Sequence, residues 1–382
     1  MKIRLLNKIA PCGTDEFGAT YEVGENVTGE NAIMVRSAAM HDMEFASELE
    51  AIARAGAGVN NIPLDKCAER GIVVFNTPGA NANGVKELAV AALLLASRDV
   101  VDGIAWANTL TEDVAKTVEK GKSRFAGCEI QGKTLGVIGL GAIGGLVANA
   151  ARELGMKVIG CDPYMTVNAA WKLSRGVHSA ANYEEIYKTA DYITLHVPAT
   201  PQTKHMINKD TLALMKDGVK IINLSRADLV CAEDMKAAIA SGKVSKYVTD
   251  FPTEETVNQK GIITIPHLGA STAESEDNCA VMAAQELMDY LEDGNIKNSV
   301  NYPAISMPRS GECRLVVLHR NQPEMLTKIT SVLSADGVNI ENMASRSKDN
   351  YACALLDCAH KATETQIADI AAIDGVIRVL VR

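Results

Sequence analysis

The sequence is poor in aromatic side chains, has no paired cysteine motif, carries no excess of positive charge and contains no long unbroken apolar run. Each absence closes off a class of function. Five Phe and two Trp leave few platforms on which single-stranded nucleic acid could stack. A formal net charge of −9 gives no diffuse attraction to a nucleic acid or an anionic membrane surface, while leaving room for a local basic pocket. No apolar stretch reaches the roughly 18 residues a membrane helix needs. Met1-Lys2-Ile3-Arg4 enters an alternating, strand-like run without the apolar core of a secretory signal. A cytoplasmic protein is expected. The nine cysteines are scattered, odd in number and nowhere spaced as CxxC, which argues against a disulfide framework and against a zinc site, so no metal is expected. Repeats and low-complexity tracts are missing as well.

What remains is an ordinary globular composition, 47% apolar and 22% charged, in a chain of 382 residues, long enough for two or three domains. Over the first ninety residues short apolar runs alternate with helical periods: Ala32-Ile33-Met34-Val35, a helix expected near 43 to 53, then Gly71-Ile72-Val73-Val74-Phe75-Asn76. The run from Val85 to Ala96 is apolar nearly all round, which predicts a helix buried at a domain or subunit contact. From Lys133 a second series begins, with strands at 134–139, 157–161, 191–196, 219–224, 247–249 and 262–265 and helices between them. Six parallel strands of this kind form a Rossmann-type doubly wound α/β sheet. A long helix over 273–293 leaves it. Ile296 to Gly311, with Pro303 and Pro308, reads as a linker. The last seventy residues follow the order βαββαβ, a ferredoxin-like module.

Thr134-Leu135-Gly136-Val137-Ile138 is a buried strand that runs into Gly139-Leu140-Gly141-Ala142-Ile143-Gly144. In such a turn one glycine permits the tight bend, one lets the backbone approach a pyrophosphate, and one allows close packing of the helix that follows. The N-terminus of that helix offers free N–H groups to the phosphates. The next strand, Lys157-Val158-Ile159-Gly160-Cys161, ends in Asp162. An acid there suits the adenosine ribose hydroxyls and would repel the 2′-phosphate of NADP, so NAD is the expected cofactor.

Oxidising a hydroxy acid requires a base, a cation for the carboxylate and a hydride acceptor. In open α/β sheets these groups gather beyond the C-terminal strand ends. Arg226 follows the strand Lys220 to Ser225, and a guanidinium can grip a carboxylate through two parallel hydrogen bonds. His267 follows Ile262 to Pro266 and precedes the small-residue stretch Leu268-Gly269-Ala270-Ser271-Thr272. Glu254 or Glu255 could pair with that histidine, favouring the imidazolium and fixing its tautomer. Chain order alone does not choose between the two.

These residues resemble the D-isomer-specific 2-hydroxyacid dehydrogenases over essentially the whole chain. The likeness rests on Val35-Arg36-Ser37, Arg54 to Asn61, Arg70 to Pro78, the glycine turn, Asp162-Pro163-Tyr164, His196-Val197-Pro198, Asn223 to Arg226, Phe251 to Glu254 and Pro266 to Thr272. The resemblance implies an NAD-dependent oxidation of a phosphorylated D-2-hydroxy acid. Arg226 would orient the carboxylate, His267 would be the acid/base, and Glu254 its partner. The cofactor would meet Gly139, Gly141, Ala142, Ile143, Gly144, Asp162, His196, Pro198, Thr203, Asn223, Asp250, Gly269 and Ala270. The substrate would meet Arg36, Ser37, Arg54, Gly56, Ala57, Gly58, Val59 and Asn76, the two arginines supplying positive charge for the phosphate. The resemblance also implies a flavodoxin-like substrate domain formed by 1–92 with 275–302, an NAD-binding domain over 93–274, a linker over 303–311 and a regulatory domain over 312–382.

Three positions depart from the family pattern: Ala227 stands in place of glycine, Lys86 in place of alanine, and the run after Asp250 is one residue shorter. The last seventy residues resemble an ACT domain, an amino-acid-binding module. That likeness places His319, Asn321 and Asn339 at an L-serine effector site, with Glu324 where glycine is usual. A homodimer or homotetramer is expected from the apolar helix and the module. A dehydrogenase acting on another D-2-hydroxy acid such as glycerate, lactate or 2-hydroxyglutarate, and an NAD-sensing binding protein without turnover, are the alternatives.

Overall fold

The computed structural model describes residues 1–382, and the chain divides into two compact units. One comprises Met1–Asn81 with Glu276–Arg382, and the other Ala82–Ser275.

The first unit opens with five parallel strands, Lys2–Leu5, Glu22–Gly24, Ala32–Val35, Ala51–Arg54 and Val73–Asn76. Their spatial order, counted along the chain, is 2-1-3-4-5, the flavodoxin-like arrangement. All four residues of Ala32–Val35 are buried, as expected of a parallel strand covered on both faces. The helix expected near 43 to 53 does not form. Residues 41–50 are turns and Ala51–Arg54 is an inner strand. The alanines favour a helix locally, but two neighbouring strands satisfy both backbone edges of this segment, and tertiary pairing overrides propensity.

The long helix Ala273–Asp293 packs against this sheet from Glu276 onward. Cys279, Ala280, Ala283, Ala284, Leu287, Tyr290 and Leu291 share a cluster with Ile3, Ala53 and Phe75. The stretch from Ile296 through the expected 303–311 linker is a packed strap. Ile296, Tyr302, Ile305 and Met307 are buried. Ser299 bridges Phe75 in antiparallel sense, the Val300 N–H donates to the Val74 carbonyl at 2.9 Å, and the Asn301 amide bonds both Val74 and Ile72 at 2.9 Å. The apolar positions lack a period and asparagine stands in for backbone, so the composition alone reads as loop.

The C-terminal module has strands Cys313–Arg320, Ile340–Lys348, Tyr351–Cys358 and Val376–Val381 and helices Met325–Ala335 and Glu364–Ala371. The sheet is antiparallel, in order 2-3-1-4 along the module, which is ferredoxin-like. Side chains alternate between its faces. Leu315, Val317, Ala354 and Leu356 pack with Ile329, Leu333 and Ile370 of the helices. Val316, Leu318, Cys353, Leu355 and Leu380 join the cluster of Ile3, Phe75 and Tyr290. Arg314 and Asp357, both 0% exposed, form a bidentate pair at 2.6 and 2.8 Å. Arg314 also donates to the carbonyls of Asp293, Met307 and Pro308, each at 3.0 Å. The module is thereby fixed to the long helix and the strap.

The second unit contains seven parallel strands, Thr134–Ile138, Lys157–Cys161, Val177–Ser179, Tyr192–Leu195, Val219–Asn223, Val244–Thr249 and Ile262–Thr264. Their order is 3-2-1-4-5-6-7, the doubly wound pattern with one strand more than expected, Val177–Ser179. The helix Ala82–Ser97 lies wholly in this unit. Its Ala89, Ala92, Leu93 and Ala96 pack with Leu135, Val147, Ala148 and Ala151 of the glycine-turn strand and helix. The two helices that follow, Val100–Ala107 and Val114–Gly121, bury no residue, and Val100, Val101, Ile104 and Val114 are exposed. No helix of the chain is long and apolar enough to cross a membrane.

Candidate active site

The glycine turn leaves the C-terminal end of Thr134–Ile138, the strand beside which the sheet order reverses, the usual ligand position in such sheets. Gly139 has φ +88°, and a Cβ there would collide with the His196 carbonyl. A Cβ on Gly144 would collide with the Gly139 carbonyl oxygen. A Cβ on Gly141 would meet nothing within 4 Å, so this backbone is open to a ligand. Gly141 caps the helix Ala142–Glu153, whose first residues are Ala142 and Ile143.

Asp162 closes the far side of the turn. Its two carboxylate oxygens accept from the Leu140 and Tyr164 N–H groups, each at 2.9 Å. A cavity of about 310 Å³ beside it is lined by Leu140, Asp162, Pro163, Met165, Ser179 and Ala180 among others. Across the turn, burial pushes His196 down to about 4. The imidazole is neutral, with Nε2 at 3.0 Å from the Thr194 hydroxyl and Nδ1 buried without a partner. The Thr203 hydroxyl donates to the Pro198 carbonyl at 2.6 Å and shapes that loop.

The next three strand ends carry the reactive groups. Asn223 is 0% exposed. Its amide nitrogen donates to the Arg226 carbonyl at 2.8 Å and its oxygen accepts from Ser225 N–H at 3.2 Å. Its side chain therefore holds the turn that presents Arg226. The exposed Arg226 guanidinium lies 5.8 Å from the Phe251 ring centre, and the His267 ring lies 4.6 Å from that of Phe251, tilted by 46°. Phe251 thus lies within reach of both the cation and the imidazole. Nothing in the sequence beyond its place between Asp250 and Glu254 singled it out. Asp250 is 1% exposed with Oδ1 unpartnered. Burial raises its carboxyl above the ordinary range, against the opposing pull of His267, the Gly269 N–H and Arg226. These groups stand in one neighbourhood, with Ala270 next along the chain.

Glu254 forms no hydrogen bond to His267. It is exposed and makes no hydrogen bond or ion pair. Its segment is tied into a local turn by Thr253 and Thr256, the Thr253 N–H donating to the Thr256 hydroxyl at 2.8 Å. Glu255 lines a separate cavity of about 140 Å³ with His205 and Asp228.

In the first unit the loops after Val35, Arg54 and Asn76 carry the residues expected at the substrate. One side-chain oxygen, Asn7 Oδ1, accepts from the Arg36, Ser37 and Ala38 N–H groups at 3.2, 3.0 and 2.9 Å. The Arg54 Nε donates to the Arg36 carbonyl at 2.9 Å. The Asn76 amide donates to Ala57 O at 2.6 Å and Thr77 N–H to Gly56 O at 3.2 Å, which orders Gly56 to Val59. Arg36 pairs with Glu276 at 2.6 Å. The sequence reading missed both Asn7 and Glu276, because each works across a long chain separation.

In the C-terminal module a cavity of about 290 Å³ is lined by His319, Asn321, Glu324, Thr327, Arg346 and Ser347 among others. His319 is 4% exposed. Burial lowers its pKa, its Nδ1 faces the Arg320 carbonyl at 2.8 Å, and its Nε2 is buried without a partner. Asn321 donates to the Asp349 carbonyl at 3.0 Å. Asn339 is exposed and does not line the cavity. Glu324 has φ +64°, the left-handed conformation that glycine adopts without strain.

Residues 90–271 match the family model for the D-isomer specific 2-hydroxyacid dehydrogenase, NAD binding domain. The chain is 35% identical over 327 residues to a D-3-phosphoglycerate dehydrogenase of Methanocaldococcus jannaschii, covering 83% of this chain and 60% of that protein. It thus spans less than two thirds of that relative's length. It is 32% identical over 347 residues to the D-3-phosphoglycerate dehydrogenase of Escherichia coli strain K12, covering 87% of this chain and 81% of that one. The NAD+-bound 3-phosphoglycerate dehydrogenase structure of Entamoeba histolytica aligns with TM-score 0.60 at 25% identity, over 79% of this chain and 98% of that one. With the glycine turn, Asp162, Arg226 and His267 in the places described, the chain belongs to the D-isomer-specific 2-hydroxyacid dehydrogenases, and its second unit carries the family's NAD-binding domain.

Proposed function

We propose that this protein oxidises D-3-phosphoglycerate to 3-phosphohydroxypyruvate with NAD, the entry reaction from glycolysis into L-serine synthesis. The observation that carries the reading is the grouping of Arg226, His267 and the buried Asp250 around Phe251, in the same unit as the glycine turn. The cofactor fits the residues present: Gly141 leaves its backbone open, and the buried Asp250 Oδ1 lacks the donor that a carboxamide would supply. NAD, when bound, supplies the hydride acceptor. Gly139 to Gly144 and the helix N-terminus would hold its phosphates, Asp162 its ribose hydroxyls, and Asp250 its carboxamide.

Arg226 grips the substrate carboxylate through its guanidinium, exposed and oriented by Asn223. A ring nitrogen of His267 takes the hydroxyl proton as the carbonyl forms and returns it in reduction. Glu254 is the carboxylate proposed to partner His267, and Asp250 is a second, buried carboxyl within its electrostatic reach. Arg54 and Arg36 supply positive charge for the phosphate. The ion pair between Arg36 and Glu276 favours a second reading, an unphosphorylated D-2-hydroxy acid, since it already neutralises one of the two cations.

The module cavity, with one unpartnered imidazole nitrogen and the opposite charges of Glu324 and Arg346, suits a zwitterionic amino acid, and L-serine is the proposed effector. The exposed apolar side chains of Val100, Val101, Ile104 and Val114 support a homo-oligomer. Nine free cysteines suit the reducing cytoplasm. His267→Ala is expected to retain NAD binding and to lose at least about a hundredfold in turnover. Unchanged turnover would remove the mechanism.

A further inference from the structure

The strap Asn298–Asn301 reaches a residue proposed to meet substrate, and it is held by two side chains to which neither the family match nor the proposed chemistry gives a role. The Asn76 N–H donates to the Asn298 carbonyl at 3.3 Å, and Val300 pairs with Val74. The Asn76 side chain in turn holds the Ala57 carbonyl. From the long helix, buried Glu286 accepts the Asn298 amide through Oε1 at 2.5 Å, while its Oε2 has no partner. From the C-terminal module, the Lys348 ammonium donates to the Val300 carbonyl at 2.9 Å and the Ser299 carbonyl at 3.4 Å. A charged donor on two adjacent carbonyls fixes a peptide more firmly than neutral contacts do.

We infer that Lys348 is a positioning residue for the hydroxy acid, acting through the Asn298–Asn301 strap on Asn76 and the Ala57 loop of its own chain. Glu286 anchors the same strap from the other side. The C-terminal module is thereby a working part of the substrate-binding unit. Lys348 ends the strand Ile340–Lys348, and its neighbour Ser347 lines the module cavity. A ligand that shifts this strand changes the grip on the strap directly, within one chain. The effect falls on the hydroxy acid, because the groups proposed to hold NAD lie in the other unit.

The inference rests on Asn76 meeting substrate, so the test has one arm that needs no activity. Lys348→Met and Lys348→Arg are compared with the unaltered full-length chain. In the first arm, amide exchange is followed in the free protein. Lys348→Met is expected to speed exchange at Val74 and Asn76 by roughly tenfold or more, leave the Lys2–Leu5 strand unchanged, and be reversed by arginine. In the second, KM for the hydroxy acid is expected to rise roughly fivefold to tenfold, with KM for NAD and kcat unchanged and arginine restoring it. Unaltered exchange overturns the strap, and so does a uniform rise across the whole sheet. Faster exchange with an unmoved KM, or with both KM values rising together, overturns the positioning role. If the unaltered chain turns over no D-2-hydroxy acid, the functional reading fails and the exchange arm still decides the strap.

Discussion

Asp162→Asn is expected to damage cofactor binding severely, although asparagine is nearly isosteric. The reason lies in how the carboxylate is used. One oxygen accepts the Leu140 N–H of the glycine turn and the other the Tyr164 N–H, both at 2.9 Å. An ionised carboxylate offers about four acceptor sites, so two remain for ribose hydroxyls. Asparagine replaces one acceptor oxygen with an NH₂ donor, which then faces a backbone N–H. One backbone donor is orphaned, and one ribose hydroxyl no longer finds an acceptor. Hydrogen bonds to a charged group contribute about 1.5 to 3 kcal/mol each. The summed loss is taken as about 3 kcal/mol, a rise of roughly 150-fold in the NAD dissociation constant. NADP binding should fall less, because the repulsion of its 2′-phosphate is removed along with the charge. Calorimetric titration with NAD and NADP measures both, with circular dichroism as the check on folding. An Asp162→Asn protein that binds NAD within a factor of about two of the unaltered chain would refute the reasoning.

Two further outcomes concern stability. Arg314→Met strands a fully buried Asp357 carboxylate and should cost about 3 to 5 kcal/mol, whereas pairing it with Asp357→Leu should recover most of the loss; a thermal melt in which the single variant matches the unaltered chain contradicts the clamp. Burial raises the Glu286 carboxyl from its ordinary 4.5 to about 7. The folded state therefore holds a proton that the unfolded chain releases, and the group's contribution is full below about pH 4.5 and lost as pH rises through about 7. Glu286→Gln should melt like the unaltered chain at low pH and be more stable by roughly 3 kcal/mol above neutrality. An advantage that does not grow with pH would contradict the buried, uncompensated carboxyl.

The doubly wound sheet was legible because its strands are continuous apolar runs punctuated by glycine and its turn glycines have no substitute. The inner strands of the terminal module were legible from short apolar runs such as Leu315–Leu318 and Ala352–Leu356. What escaped was set by partners distant in sequence. Ala51–Arg54 looks helical until its neighbours on both edges are present. The strap looks like a linker because Asn301 and Val300 pair with residues more than two hundred positions earlier. Arg226 and His267 could be read from their places after strand ends, but the approach of Phe251 to both of them, and the role of Asn7 in gathering three N–H groups, carry no local signal. The expected partnership of Glu254 and His267 has no hydrogen bond to mark it: the chain there is one residue shorter than the family pattern, and Thr253 and Thr256 form a local turn around the exposed Glu254.

The central claim is the oxidation of a phosphorylated D-2-hydroxy acid. Reduced-cofactor formation should be followed with D-3-phosphoglycerate and, in parallel, with D-glycerate, D-lactate and D-2-hydroxyglutarate, each with NAD. The phosphorylated acid is expected to give a kcat/KM at least about a hundredfold above the others, the effect of roughly 3 kcal/mol of arginine–phosphate pairing. An equal or higher value with an unphosphorylated acid, or tight NAD binding without turnover of any, would contradict it.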